Sequence, residues 1–132
     1  MKRPTFLTLD EVLALHADQI ERYGGDHGVR DVGLLESAIA MPQATFSGRY
    51  LHANLAEMAA AYLFHVVRNH PFLDGNKRAG LMAALVFLGL NGLELEADAD
   101  RLTELVLGVA AGKVSKAETT VFIERHSRAR RA

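Results

Sequence analysis

The stretch His70-Pro71-Phe72-Leu73-Asp74-Gly75-Asn76-Lys77-Arg78 lies between two apolar runs, each with the periodicity of a helix. Pro71 and Gly75 break any regular element, so these nine residues read as a loop. Asn76 or Gly75 then opens the following helix, which puts Lys77 and Arg78 in its first turn. Two cations there oppose the positive potential of a helix N-terminus. The arrangement makes sense when an anion is seated at that point, held by free backbone N–H groups and both cations. His-Pro and Asp-Gly are also ordinary turn pairs, and Lys-Arg after a turn commonly faces solvent. What sets the stretch apart is a base, a hard-metal ligand and an anion site within nine residues.

Each residue type has a chemical use. His70 is the one group of the loop able to take a proton near neutral pH, as a hydroxyl attacking phosphorus requires. Asp74 supplies a hard oxygen suited to Mg²⁺, which typically takes one or two carboxylates plus substrate phosphates. Gly75 lets backbone approach a phosphate closely. Asn76, Lys77 and Arg78 can neutralise charge spread over phosphoryl oxygens. Phe72 points by alternation into the core and fixes the loop. Arg68, two residues before His70, has a structural use as a cation near a helix C-terminus.

Outward from the loop, the preceding helix is capped by Asn54 and runs to about Asn69. Leu55, Met58, Ala59, Tyr62, Leu63, Val66 and Val67 form its wide apolar face. The following helix continues through the small, apolar run Ala79 to Leu90 and stops at Asn91-Gly92. Upstream, Thr8-Leu9-Asp10-Glu11 is a capping box whose helix ends at Gly24-Gly25. His16 within it reads as a packing histidine at the core's edge. Asp26 and His27 can pair on a metal, or belong to a self-capped turn. Asp31 caps a second helix that ends before Pro42. Phe46 and Tyr50 flank Ser47-Gly48, a weak hairpin signal whose alternative is a plain loop. Downstream, Leu93 to Glu96 reads as a connector. Asp98 or Asp100 starts one helix and the capping box Ser115 to Glu118 starts the last. The basic run Arg125 to Arg131 reads as a frayed helix end, or else a contact for an acidic partner or RNA.

The expected fold is all-α, a compact bundle of about six helices in a single domain over residues 1–132, with a short flap before the motif. At 132 residues and 49% hydrophobic side chains the chain can bury a core unaided. The absence of Cys excludes disulfides and thiolate metal sites and fits a reducing cytoplasm. No apolar run of ~18 residues lacks a polar break, so no membrane span is expected. A net charge of −1 argues against a dedicated nucleic-acid binder.

Residues 70–78 match H-x-F-x-[D/E/N]-[A/G]-N-[G/K]-R, the signature of the Fic/Doc superfamily, at every defined position. Lys77, where most Fic enzymes carry Gly, resembles the death-on-curing (Doc) toxin branch. Leu15-His16, Ile20, Arg22 to Gly25 and Gly28 to Met41 extend the resemblance. It implies His70 as the catalytic His, Asp74 as the acid engaging Mg²⁺, and Asn76 with Arg78 as phosphate binders; the Doc branch also carries an Arg two residues before the His, which implies Arg68 as a second-rank site residue. It also implies a flap that docks the target segment by strand addition. AMP-transferring Fic enzymes often carry a further Arg at the position of Leu81. With that Arg missing and Lys77 in place of Gly, the resemblance implies transfer of the γ-phosphate of ATP instead. Its known target is elongation factor Tu, at a Thr, and a small antitoxin neutralises it. Self-inhibiting relatives carry S/T-x-x-x-E-G/N; here Thr120 to Glu124 is followed by Arg125, which points to inhibition in trans. A Fic-type nucleotidyltransferase and a catalytically silent helical binding module are the alternative functions.

Overall fold

Helices start in this chain where a short polar side chain can accept from the orphan N–H groups of a first turn. The structure, a computed structural model, describes residues 3–130. Thr8 caps α1 (Leu9–Tyr23), Asp31 caps α2 (Val32–Ala40) and Asn54 caps α3 (Leu55–Asn69). Asp98 caps α5 (Ala99–Ala110) and Ser115 caps α6 (Lys116–His126), and the boxes at Thr8 and Ser115 both form. The exception is α4 (Asn76–Leu90), which opens behind Gly75 with no side-chain cap.

The six expected helices are all present, and α3 is their hub. It packs most extensively on α4, and also against α6, α2 and α5. Its buried residues include Ala59, Ala60, Leu63, Val66 and Val67, which share one core with Ala79, Ala83 and Ala84 of α4. The small side chains let the two helices close up. A Cβ at Gly80 would lie 2.7 Å from Val67 Cγ2 and 3.1 Å from the Leu63 carbonyl oxygen. Tyr62, also buried in α3, accepts the Leu7 N–H on its hydroxyl at 2.9 Å and so ties the N-terminal segment to the hub.

Two small sheets complete the fold. Thr45–Phe46 (β1) and Arg49–Tyr50 (β2) pair antiparallel through Ser47 and Gly48, both at positive φ, so the hairpin reading holds and the plain loop does not. The second helix ends as expected near Pro42, which the chain accommodates in a 3₁₀ turn over Met41–Gln43.

The connector reading of Leu93 to Glu96 and the frayed reading of the basic run need correction. Leu93–Leu95 (β3) pairs antiparallel with Ser127–Ala129 (β4). Arg128 Nε lies 3.0 Å from Glu96, and Arg130 donates to the Gly89 carbonyl at the end of α4. These bonds join segments over 30 residues apart, which a local pattern does not show. Arg131 lies outside the described residues.

His65 of α3 joins α6 by accepting from Lys116 Nζ at 2.9 Å. Burial, then the charge of Lys116, pushes its pKa from 6.5 to about 4. An unfolded chain therefore binds a proton near pH 6.5 that the folded chain refuses. The associated stability is present above that pH and lost as pH falls towards 4, at no more than about 1.4 kcal/mol per pH unit for one proton. Urea unfolding at pH 7 and pH 4.5 should show wild type losing more stability than His65→Gln. Equal losses would exclude His65 as a source of acid sensitivity.

Candidate active site

α3 stops because His70 turns left-handed, with φ 52° and ψ 53°. That conformation costs a residue with a Cβ roughly 1–2 kcal/mol, although His tolerates it better than most. The turn sends Pro71 and Phe72 into the core. The Phe72 ring is fully buried, as alternation predicts, and stacks on His16 with centroids 3.7 Å apart and planes 4° from parallel.

The loop is held from inside by Asn76. Its Oδ1 accepts the Phe72 N–H at 2.9 Å and its Nδ2 donates to the Phe72 carbonyl at 3.0 Å. The side chain is buried, and both polar atoms are used on the backbone of the loop. His16 Nε2 donates to the Asp74 carbonyl at 2.8 Å. Because a carbonyl only accepts, that nitrogen carries the ring proton. Burial, above other causes, holds the His16 pKa below its ordinary value, which keeps the ring neutral. His16 is thus a brace for the loop, one step closer to the site than a packing residue. The signal was its place on the buried stripe Val12, His16, Ile20 of α1.

The segment after α1 braces the loop from outside. Leu73 N–H donates to the Gly28 carbonyl at 3.0 Å, and the Arg30 and Asp31 N–H groups both donate to the Pro71 carbonyl. This approach needs Gly25, which sits at φ 124° and where a Cβ would lie 2.5 Å from Asp74 Oδ2. Gly75 is equally constrained: it is left-handed, and a Cβ would meet Ile20 Cδ1 at 3.0 Å. Asp26 Oδ1 accepts the Gly28 N–H at 2.7 Å, so the Asp26-His27 pair is a self-capped turn. Among the described residues no group of three or more His, Asp or Glu is placed to hold a metal.

Arg68, His70, Asp74, Gly75, Asn76 and Lys77 come together around one cleft of about 180 Å³, with Ala110 of α5 at its edge. The His70, Asp74 and Lys77 side chains are exposed there. Asp74 Oδ1 accepts the Gly75 N–H at 2.8 Å and Oδ2 accepts the Asp26 N–H at 3.4 Å, while half of the side chain stays open to solvent. Arg68 lines the cleft but also donates from Nη1 to the Val109 and Ala110 carbonyls that end α5. Asn76, its side chain engaged, presents its backbone N–H. With those of Lys77 and Arg78, it opens α4 without an intrahelical acceptor. Arg78 lies outside the lining. Its Nη1 donates to the Gln19 and Gly24 carbonyls of α1, and its Nη2 is 3.9 Å from Asp74.

The cleft can therefore hold an anion against the amides of Asn76 and Lys77 and the Lys77 ammonium, beside an exposed imidazole and a carboxylate. Its volume is below the roughly 300 Å³ of small ligand pockets, which is room for a small anionic group.

A sequence profile described as the Fic/DOC family matches residues 6–88. Toxin Doc of Mycolicibacterium smegmatis is 47% identical over 90 residues, which is 67% of this chain and 69% of that protein. Protein kinase doc of Escherichia phage P1 is 37% identical over 116 residues, covering 88% of this chain and 90% of the phage protein.

Asn76→Ala should lower stability by about 1–3 kcal/mol for each Phe72 group left buried without a partner, and should lower activity with it. Denaturation measured beside turnover checks this. A fully stable but inactive Asn76→Ala protein would mean that the carboxamide acts on substrate and not on the loop.

Proposed function

The chain belongs to the Fic/DOC family, and on that premise we propose that it is a Doc-type toxin that transfers the γ-phosphate of ATP to a Ser or Thr hydroxyl of a translation factor. Elongation factor Tu is the proposed target, and a small antitoxin the proposed partner that silences it. The observation that carries the reading is the uncapped N-terminus of α4 facing a phosphate-sized cleft between His70 and Lys77. The two named relatives, a toxin and a protein kinase, support the same class of activity.

In this reading His70 accepts the proton of the attacking hydroxyl, and the amides of Asn76 and Lys77 with the Lys77 ammonium stabilise charge on the transferring group. Asp74 fits a Mg²⁺ ion: it is a half-exposed hard oxygen donor with lone pairs beyond those given to two N–H groups. One carboxylate suffices where substrate phosphates and waters supply the remaining ligands, and the ion would neutralise phosphate charge. Arg68 adds positive charge at the rim. Arg78 reaches a phosphate directly only by leaving the Gly24 carbonyl; in place, it fixes the end of α1.

Lys77 decides between phosphoryl and nucleotidyl transfer. Gly at this position would leave backbone open for a second phosphate, whereas the Lys side chain occupies that space. The terminal phosphate then lies beside His70.

His70→Ala should keep the fold and lower turnover roughly 10²- to 10⁴-fold, the usual contribution of a general base. Wild-type turnover by the folded variant would remove His70 from that role. With ATP labelled separately at the α and γ positions, the protein should deposit only the γ label on elongation factor Tu. Lys77→Gly should lose that transfer. Deposition of the α label by wild type would replace the kinase reading by nucleotidyl transfer, and no label at all would exclude this target.

A further inference from the structure

Arg30, in the segment before α2, donates from Nε to the His70 carbonyl at 2.8 Å and from Nη2 to the Asn69 carbonyl at 3.1 Å. Its backbone N–H donates to the Pro71 carbonyl at 2.7 Å. One residue therefore grips three successive carbonyls across the point where α3 turns into the loop. We infer that Arg30 is a positioning residue for His70, holding the left-handed turn that presents the imidazole to the cleft. The inference deepens the proposed function and rests on His70 acting as the base.

Three observations carry it. His70 is one of only two residues other than Gly with positive φ among those described; the other, Ser47, is at the tip of a two-residue hairpin turn. An L residue stays in such a conformation when its surroundings over-determine it. Among the described residues, no other side chain bonds to the His70 backbone, and Arg30 pairs with no carboxylate. Its charge is thus available to the last carbonyls of α3, which have no intrahelical partner and carry negative potential. The rigid fork of the guanidinium reaches two adjacent carbonyls at once, which an ammonium on a flexible stem does not. The sequence offers no sign of this, because Arg30 and His70 are 40 residues apart.

The test uses the full chain with Arg30→Ala, Arg30→Lys, His70→Ala and the Arg30/His70 double variant. Turnover is read with γ-labelled ATP and elongation factor Tu. Arg30→Ala should lower kcat about ten- to hundredfold, the cost of a misplaced reacting group, with KM for ATP changed less than about twofold. Arg30→Lys should recover little of the loss. In the His70→Ala background, Arg30→Ala should change the residual rate less than about twofold, since residues acting through one another are not additive. A purely stabilising arginine would affect both backgrounds alike, and that result would overturn the inference. A second readout needs no substrate: backbone NMR couplings should show φ of His70 leaving the left-handed region in folded Arg30→Ala protein. An unchanged φ overturns the inference whatever the rates. Wild-type turnover by His70→Ala would instead overturn the base assignment, which distinguishes the two failures.

Discussion

The two hydrogen bonds between the Asn76 carboxamide and the backbone of Phe72 close the loop on itself, and the geometry of the cleft depends on them. They join the first residue of α4 to Phe72, whose ring is anchored in the core. Because Phe72 and Asn76 both point inwards, Leu73, Asp74 and Lys77 are left facing out. A buried side-chain amide with its donor and acceptor both satisfied gives the loop one arrangement, where an apolar residue would leave the Phe72 N–H and carbonyl unpaired. The neutral His16 extends the same clamp to the Asp74 carbonyl.

Around this clamp the helix ends are arranged to suit an anion. The N-terminus of α4 opens on the cleft with no side-chain cap. Three C-termini carry negative potential near the same loop, and each is covered by an arginine. Arg30 covers the end of α3, Arg68 the end of α5, and Arg78 the end of α1. A phosphate approaching the amides of α4 therefore meets covered carbonyls on its flanks. This division also sets Lys77 apart from Arg78: Arg78 is spent on the carbonyls at the end of α1, while the Lys77 side chain stays exposed at the cleft.

What the sequence made legible follows from the distance over which each interaction acts. The capping boxes at Thr8 and Ser115 and the caps at Asp31 and Asn54 are bonds between residues three apart and formed as read, and of the two candidates Asp98 and Asp100 it is Asp98 that caps α5. The motif was legible because its functional groups are contiguous. The roles of Asn76 and Arg78 were only half legible: their chemistry suits phosphate, but their side chains bond to Phe72 and to α1. The stacking of His16 on Phe72, the grip of Arg30 and the pairing of Leu93–Leu95 with Ser127–Ala129 join residues dozens of positions apart. No local pattern encodes such partners; they appear only once the helices pack on α3.

The central claim is that this braced loop presents the terminal phosphate of a nucleotide to His70. A crystal structure of the His70→Ala protein with Mg²⁺ and a non-hydrolysable ATP analogue tests it most directly, since loss of the imidazole leaves the clamp intact. The γ-phosphate is expected at the amides of Asn76 and Lys77, beside the Lys77 side chain and the vacated position of the imidazole, with the base and sugar outside the cleft. An α-phosphate in that place, or an analogue bound elsewhere on the protein, would contradict it.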